Sequence, residues 1–133
     1  MGFENVNLLG AIAGAVGAMA IGSLWYSPWM FANRWQELIG RSPDEVGNPI
    51  VAISIATIMF VVMGLGMSWV IPDGSSAGIG LMWGFLGFWA FILPAVVING
   101  VFERRPWALM AIFLGYMLIA SLVMAALITF LGG

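Results

Sequence analysis

Polar and apolar positions alternate along this chain in long blocks rather than with a helical or strand period. Four blocks carry no charged residue: Asn7 to Tyr26, Ile50 to Ile71, Ser76 to Val101 and Trp107 to Leu131. Each reaches the roughly 20 residues that a helix needs to cross a hydrocarbon core about 30 Å thick. None shows the polar stripe that a helix needs at the surface of a water-soluble protein. The pattern predicts four membrane-spanning helices.

The block ends carry helix signals of their own. Asn48-Pro49 reads as a cap followed by proline in the first helical position. Pro72-Asp73-Gly74-Ser75 reads as a tight turn between the second and third spans. Pro106 opens the fourth. The one long connection, between the first and second spans, is itself patterned. Over about residues 28–40 the apolar positions Phe31, Trp35, Leu38 and Ile39 share one side, with Asn33, Arg34, Gln36 and Glu37 on the other. Such a segment suits a helix lying in the membrane interface. Ser42 to Glu45 fits a capping box for a further short turn. The expected fold is therefore all-α: one domain over residues 1–133, a four-helix membrane bundle with an amphipathic interfacial helix between spans one and two.

Composition narrows the class. Hydrophobic residues make up 62% and charged residues 8% of the 133 positions, and mean hydropathy is +1.07. Soluble domains carry about 25% charge, so too little polar surface exists here to face water. A net charge of -2 with two adjacent arginines as the densest basic feature leaves no nucleic-acid footprint. The chain lacks Cys, His and Lys, which removes thiol, imidazole and Schiff-base chemistry. A haem held by two methionines without histidine would be unusual. No metal or cofactor is expected.

Arginine placement predicts orientation. Arg34, Arg41, Arg104 and Arg105 all fall in the connections that follow spans one and three, while Glu4 and Asp73 mark the other side. The positive-inside rule puts the arginine-bearing loops in the cytoplasm and both termini outside. Trp25, Tyr26, Trp29 and Trp35, with Phe102 and Trp107 at the same level, read as an aromatic belt. The acidic start Met1-Gly2-Phe3-Glu4 argues against a cleaved signal peptide despite the small-x-small run Ala18-Met19-Ala20.

Small residues form stripes. Gly10, Gly14 and Gly17 line one face of the first span, and Ala11, Ala15, Ala18 and Gly22 the next; Gly80, Gly84 and Gly87 line the third span. Such stripes let helix backbones approach within a bilayer. They predict packing within the bundle, or a face offered to a partner or a second copy.

An ionisable group inside a span is a functional signal, and these spans hold none. Asn99 and Tyr116 are the polar groups to weigh. Asn99 lies about 6 Å below Glu103, and Tyr116 about 13 Å below Trp107, at about 1.5 Å per residue. Side chains lean toward their helix N-terminus, which brings the two tips to similar depth. The expectation is a hydrogen bond between them, direct or through one water, as a structural clasp or the wall of a small polar pocket. Glu103-Arg104-Arg105-Pro106 is a compact charged turn that suits a salt bridge to Glu37, Asp44 or Glu45, or contact with anionic lipid heads.

The run Gly22-Ser23-Leu24-Trp25-Tyr26-Ser27-Pro28, followed by Phe31 and Trp35, resembles the signature of a family of small bacterial membrane proteins known as domain of unknown function 1761. Asn99 to Pro106 and the later pair Gly115-Tyr116 are similar to that family as well. The resemblance covers nearly the whole chain and implies a four-span protein of the bacterial inner membrane, with no established activity. Family members often carry His after the Gly-Tyr pair; Met117 stands there, so a role for an imidazole does not carry over.

No residue pattern resembles a catalytic constellation. Three function classes follow: a non-catalytic accessory subunit packed against a larger membrane complex, a small oligomeric transporter or channel, and a lipid- or quinone-handling protein at the inner interface. The expected partners are the bilayer and other membrane chains, or further copies of this one.

Overall fold

The uncharged blocks are the four long helices of the computed structural model, which describes residues 7–40 and 49–131. In chain order these are α1 (Leu8–Trp25), the short α2 (Ala32–Ile39), α3 (Pro49–Val70), α4 (Ala77–Phe102) and α5 (Trp107–Leu131). No strand occurs among the described residues. All but α2 are long and apolar enough to cross a membrane, and the protein is a multi-pass membrane protein. The capping box at Ser42 to Glu45, the Asn48 cap, Glu4 and Arg41 lie outside the described residues.

Local chemistry sets the helix ends. Asn7 caps α1, its side-chain oxygen accepting from the Gly10 amide at 3.0 Å. Ser76 caps α4 through the Ile79 amide at 3.3 Å. The Pro72–Ser75 turn forms as expected, with Gly74 at φ 75, where a side chain would strain the backbone. The interfacial helix is shorter than the sequence indicates. It begins at Ala32 rather than near Pro28, because Ser27 turns its hydroxyl back to the Leu24 carbonyl at 2.6 Å and closes a separate turn. It ends at Gly40, whose φ of 67 stops it in the left-handed region.

The lateral order of the spans is α3, α1, α5, α4, and α3 and α4 meet little beyond their shared turn. Helix α5 is the hub. Of its most apolar stretch, 44% is buried, against 28% in α1 and 11% in each of α3 and α4. Lipid supplies no hydrophobic drive between helices, so close packing must hold them. Small residues provide it. A Cβ placed on Gly14 would lie 2.6 Å from Met124 Cγ, and one on Gly10 3.1 Å from the Ile128 Cα. On Gly17 it would stand 3.1 Å from Leu127. The first glycine stripe thus faces α5. The alanine stripe is divided: Ala11 meets α3, where a Cβ on Gly64 would come 2.9 Å from the Ala11 backbone, whereas Gly22 meets Tyr116 of α5.

Helix α4 departs from a simple stripe. Phe88–Ile92 forms a wide π turn, with the Leu93 amide donating to the Phe88 carbonyl five residues back. In an unbroken α-helix Gly100 would lie about 160° round from Gly84. The extra residue of the wide turn takes back about 100°. Gly80, Gly84, Phe88 and Gly100 are accordingly all buried. Gly87 does not join them: a Cβ there meets nothing within 4 Å, since at this level the Phe88 ring fills the core. The expected three-glycine face is a two-glycine face. Gly84→Leu, whose Cβ would sit 2.8 Å from Ala125 Cβ and 2.9 Å from the Ser121 carbonyl oxygen, should destabilise the fold by about 1–3 kcal/mol. Gly87→Leu should leave the unfolding midpoint in mild detergent within the error of the wild type.

Candidate functional site

The residues singled out from the sequence gather at the arginine-bearing end, where α1 ends and α5 begins. Tyr116, on α5, is buried and donates its hydroxyl to the Ala18 carbonyl of α1 at 2.6 Å. It can reach that oxygen because Gly22, one turn on, has no side chain; a Cβ there would lie 2.7 Å from the hydroxyl. The converse contact runs the other way. Trp25, on α1, donates its indole Nε1–H to the Ile112 carbonyl of α5 at 2.9 Å. Its ring lies over Gly115, where a Cβ would come within 2.9 Å of the indole Cζ2. Each helix offers a carbonyl laid bare by a glycine, and each supplies an aromatic donor to the other.

Aromatic packing extends this reciprocal clasp to the neighbouring elements. Tyr26 sets its ring edge-on to Tyr116 at 5.7 Å and to Trp35 of α2 at 5.8 Å. Phe60 of α3 meets Tyr116 edge-on at 6.0 Å. Trp25 packs on Phe31 at 4.9 Å. Such ring pairs contribute about 0.5–1.5 kcal/mol each beyond their buried area. Tyr116 thereby joins the end of α1 to α3, and Trp25 and Tyr26 tie the same end to the interfacial helix.

The expected bond between Asn99 and Tyr116 is not made. Asn99 is exposed on α4, and its amide donates to Glu103 Oε1 at 3.1 Å. The depth argument placed both groups along the membrane normal but left open which way each faces. Tyr116 faces α1, and Asn99 faces away from the bundle. Glu103 also accepts from Arg105 Nε at 2.9 Å, while Glu37 pairs with Arg34 within α2 at 3.1 Å. The bridge between the two connections through Glu37 is therefore replaced by pairs inside each; Asp44 and Glu45 lie outside the described residues.

Arg104 stands out within the charged turn. Its φ is 58, the left-handed region that favours glycine. The Arg105 amide bonds the Gly100 carbonyl at 2.9 Å and the Arg104 amide bonds Val101 at 3.2 Å, which closes α4 in a Schellman motif with arginine at the usual glycine position. The belt divides in two. Trp25, Tyr26 and Trp35 turn inward and pack, whereas Trp29 is 91% exposed and Phe102 and Trp107 also lie open.

A second polar feature lies at the opposite end and was not singled out from the sequence. Asn7, Ser68, Asp73, Ser75 and Thr129 line a cavity of about 20 Å³, room for about one water molecule. The Asn7 backbone amide donates to Ser68 Oγ at 3.1 Å, and its side-chain Nδ2 is buried without a partner among the described residues. A capping Asn beside an Asp-containing turn was the available signal. Among the described residues no group of three or more His, Cys, Asp or Glu is placed to hold a metal.

The residues that form the clasp fall within the range matched by a known family. The family model described as "Protein of unknown function (DUF1761)" matches residues 9–129. The chain belongs to the DUF1761 family. No curated protein and no solved structure is significantly similar to it. In this DUF1761 member the Gly22 to Pro28 run and the Gly115-Tyr116 pair are the two halves of one contact between α1 and α5.

Proposed function

We propose that this DUF1761 protein is a non-catalytic subunit of the bacterial inner membrane that packs sideways against a larger membrane complex. The observation that carries the reading is the uneven burial of the spans. Helices α1 and α5 pack their small residues on each other and on their neighbours, while only 11% of the most apolar stretch of each of α3 and α4 is fully buried and more than half of the residues of each helix are exposed. Two largely open spans beside a tightly joined pair suit a chain built into a wider assembly. The polar groups support the same reading: the Tyr116 hydroxyl and the Trp25 indole are engaged in holding helices together rather than lining a path. In this reading the four arginines keep their loops in the cytoplasm and both termini outside.

The test is purification of the full chain from native membranes in mild detergent. A photo-cross-linking residue at Ile55, exposed on α3, identifies what touches that face. Recovery with one larger complex at fixed stoichiometry, cross-linked from position 55 to a subunit of that complex, is the expected result. Recovery alone or only with itself would overturn the accessory reading.

A further inference from the structure

We infer that two copies of this chain pair through the middle of α4, with Trp89 of each copy hydrogen-bonded to the main chain of the other. The wide turn is the starting point. A carbonyl in a helix takes its hydrogen bond from the amide four residues on, or five on in a π turn. For the Trp89 carbonyl the first of these is Leu93, whose amide is given to Phe88. The second is Pro94, which has no N–H. The Trp89 carbonyl is thus left without a main-chain donor.

The Trp89 side chain adds the complementary group. It is 58% exposed, and its ring lies parallel to Phe85, with 6.5 Å between centroids and 7° between planes. Among the described residues its indole N–H has no partner, in contrast to that of Trp25. Its depth matters as well. Trp89 lies about 18 Å from Ala77 and about 20 Å from Phe102 along the helix, at the midpoint of the span. Tryptophan facing lipid belongs at the interface, where the N–H finds water. At mid-depth hydrocarbon offers neither a donor nor an acceptor, and unpaired polar groups there are costly.

One residue therefore presents an unpaired donor and an unpaired acceptor on one open face. That arrangement is self-complementary. A two-fold axis along the membrane normal keeps every residue at its own depth, so Trp89 of one copy meets the same turn of the other. The contact is then made twice, each indole giving to the opposite carbonyl. The exposed indole reaches the opposite chain by turning out of its parallel contact with Phe85. The inference goes beyond the accessory reading, since a pair of copies can join a larger complex or stand alone.

The chain has no cysteine, so a single introduced thiol reports on its own position. Ala90→Cys in the full chain in native membranes should give a disulfide-linked dimer under mild oxidation, and Ile55→Cys on α3 should not. In liposomes carrying donor- and acceptor-labelled copies, Trp89→Phe keeps the ring and removes the N–H. Its dimer dissociation constant should rise at least about tenfold, because two symmetric bonds are lost. Pro94→Ala restores an amide at position 94 for the Trp89 carbonyl and should weaken pairing in the same direction. Trp107→Phe, exposed at the arginine-bearing end, should leave it unchanged. Far-UV circular dichroism of each variant separates lost pairing from lost fold. A monomer at every concentration, pairing unmoved by Trp89→Phe, or cross-links from position 55 but not 90 would each overturn the inference. So would a cross-link from position 90 to a different protein, which would leave the accessory reading standing.

Discussion

Gly22→Leu should lower stability by about 3 kcal/mol, the sum of overpacking and a lost interhelical hydrogen bond. The leucine Cβ would stand 2.7 Å from the Tyr116 hydroxyl and 3.1 Å from its Cζ. Both atoms belong to a rigid ring held edge-on by Tyr26 and Phe60. The ring must swing out, and with it go the bond to Ala18 and both aromatic contacts. Tyr116→Phe is the milder control. It keeps the ring and loses only the hydrogen bond, for about 1 kcal/mol. The Ala18 carbonyl is a helical acceptor, so losing the hydroxyl does not leave it bare. Equilibrium unfolding of the purified chain in mixed detergent micelles, followed by far-UV circular dichroism, measures both. If Gly22→Leu unfolds with the wild-type midpoint, the ring does not occupy the notch.

The four spans were legible because charge is excluded from hydrocarbon whatever the tertiary fold. An uncharged run of 20 residues carries that constraint on its face, and Pro72-Asp73-Gly74-Ser75 carries the turn. The interfacial helix was legible in character but not in start. Ser27 and Pro28 satisfy the rules for a cap, yet the Ser27 hydroxyl went back to Leu24. Local preference allowed either arrangement, and the inward turn of Trp25 and Tyr26 selected one.

Facing directions were harder to read than depths. Gly80, Gly84 and Gly87 have a spacing that an ideal helix would place on one broad face, but the side of a helix that meets a neighbour depends on that neighbour's bulk. Phe88 takes the place that Gly87 was expected to fill. Asn99 and Tyr116 face different ways for the same reason. The wide turn has no signature in hydrophobicity; Pro94 is its single trace. The clasp was present in the sequence as an unrecognised pairing. Gly22 and Gly115 each fall near an aromatic donor in sequence, but each serves the aromatic residue of the other helix. That exchange becomes visible only when α1 and α5 are laid side by side.

The exchange makes a second prediction with a built-in compensation. Trp25→Ala should cost about 3–4 kcal/mol, the range for removing a packed tryptophan. Little of this comes from the Ile112 carbonyl, which also lies within the α5 ladder. Most is the void left over Gly115. Gly115→Leu in the wild-type chain should also destabilise, because its Cβ would press to 2.9 Å from the indole Cζ2 and 3.4 Å from Cη2. Combining the two places a leucine where the indole lay. The double variant should then be more stable than Trp25→Ala alone, by about 1–2 kcal/mol of recovered packing. Additive losses would mean that the indole and Gly115 do not share one space. The same pairing should fail when Gly115→Leu is combined with Tyr116→Phe, since that hydroxyl belongs to the Gly22 side of the clasp. A compensation confined to Trp25 and Gly115 would show that the two halves are separate notches with separate occupants. It would also explain why the Gly22–Trp25 spacing and the Gly115-Tyr116 pair occur together in this chain: each glycine is the seat of the other helix's aromatic residue.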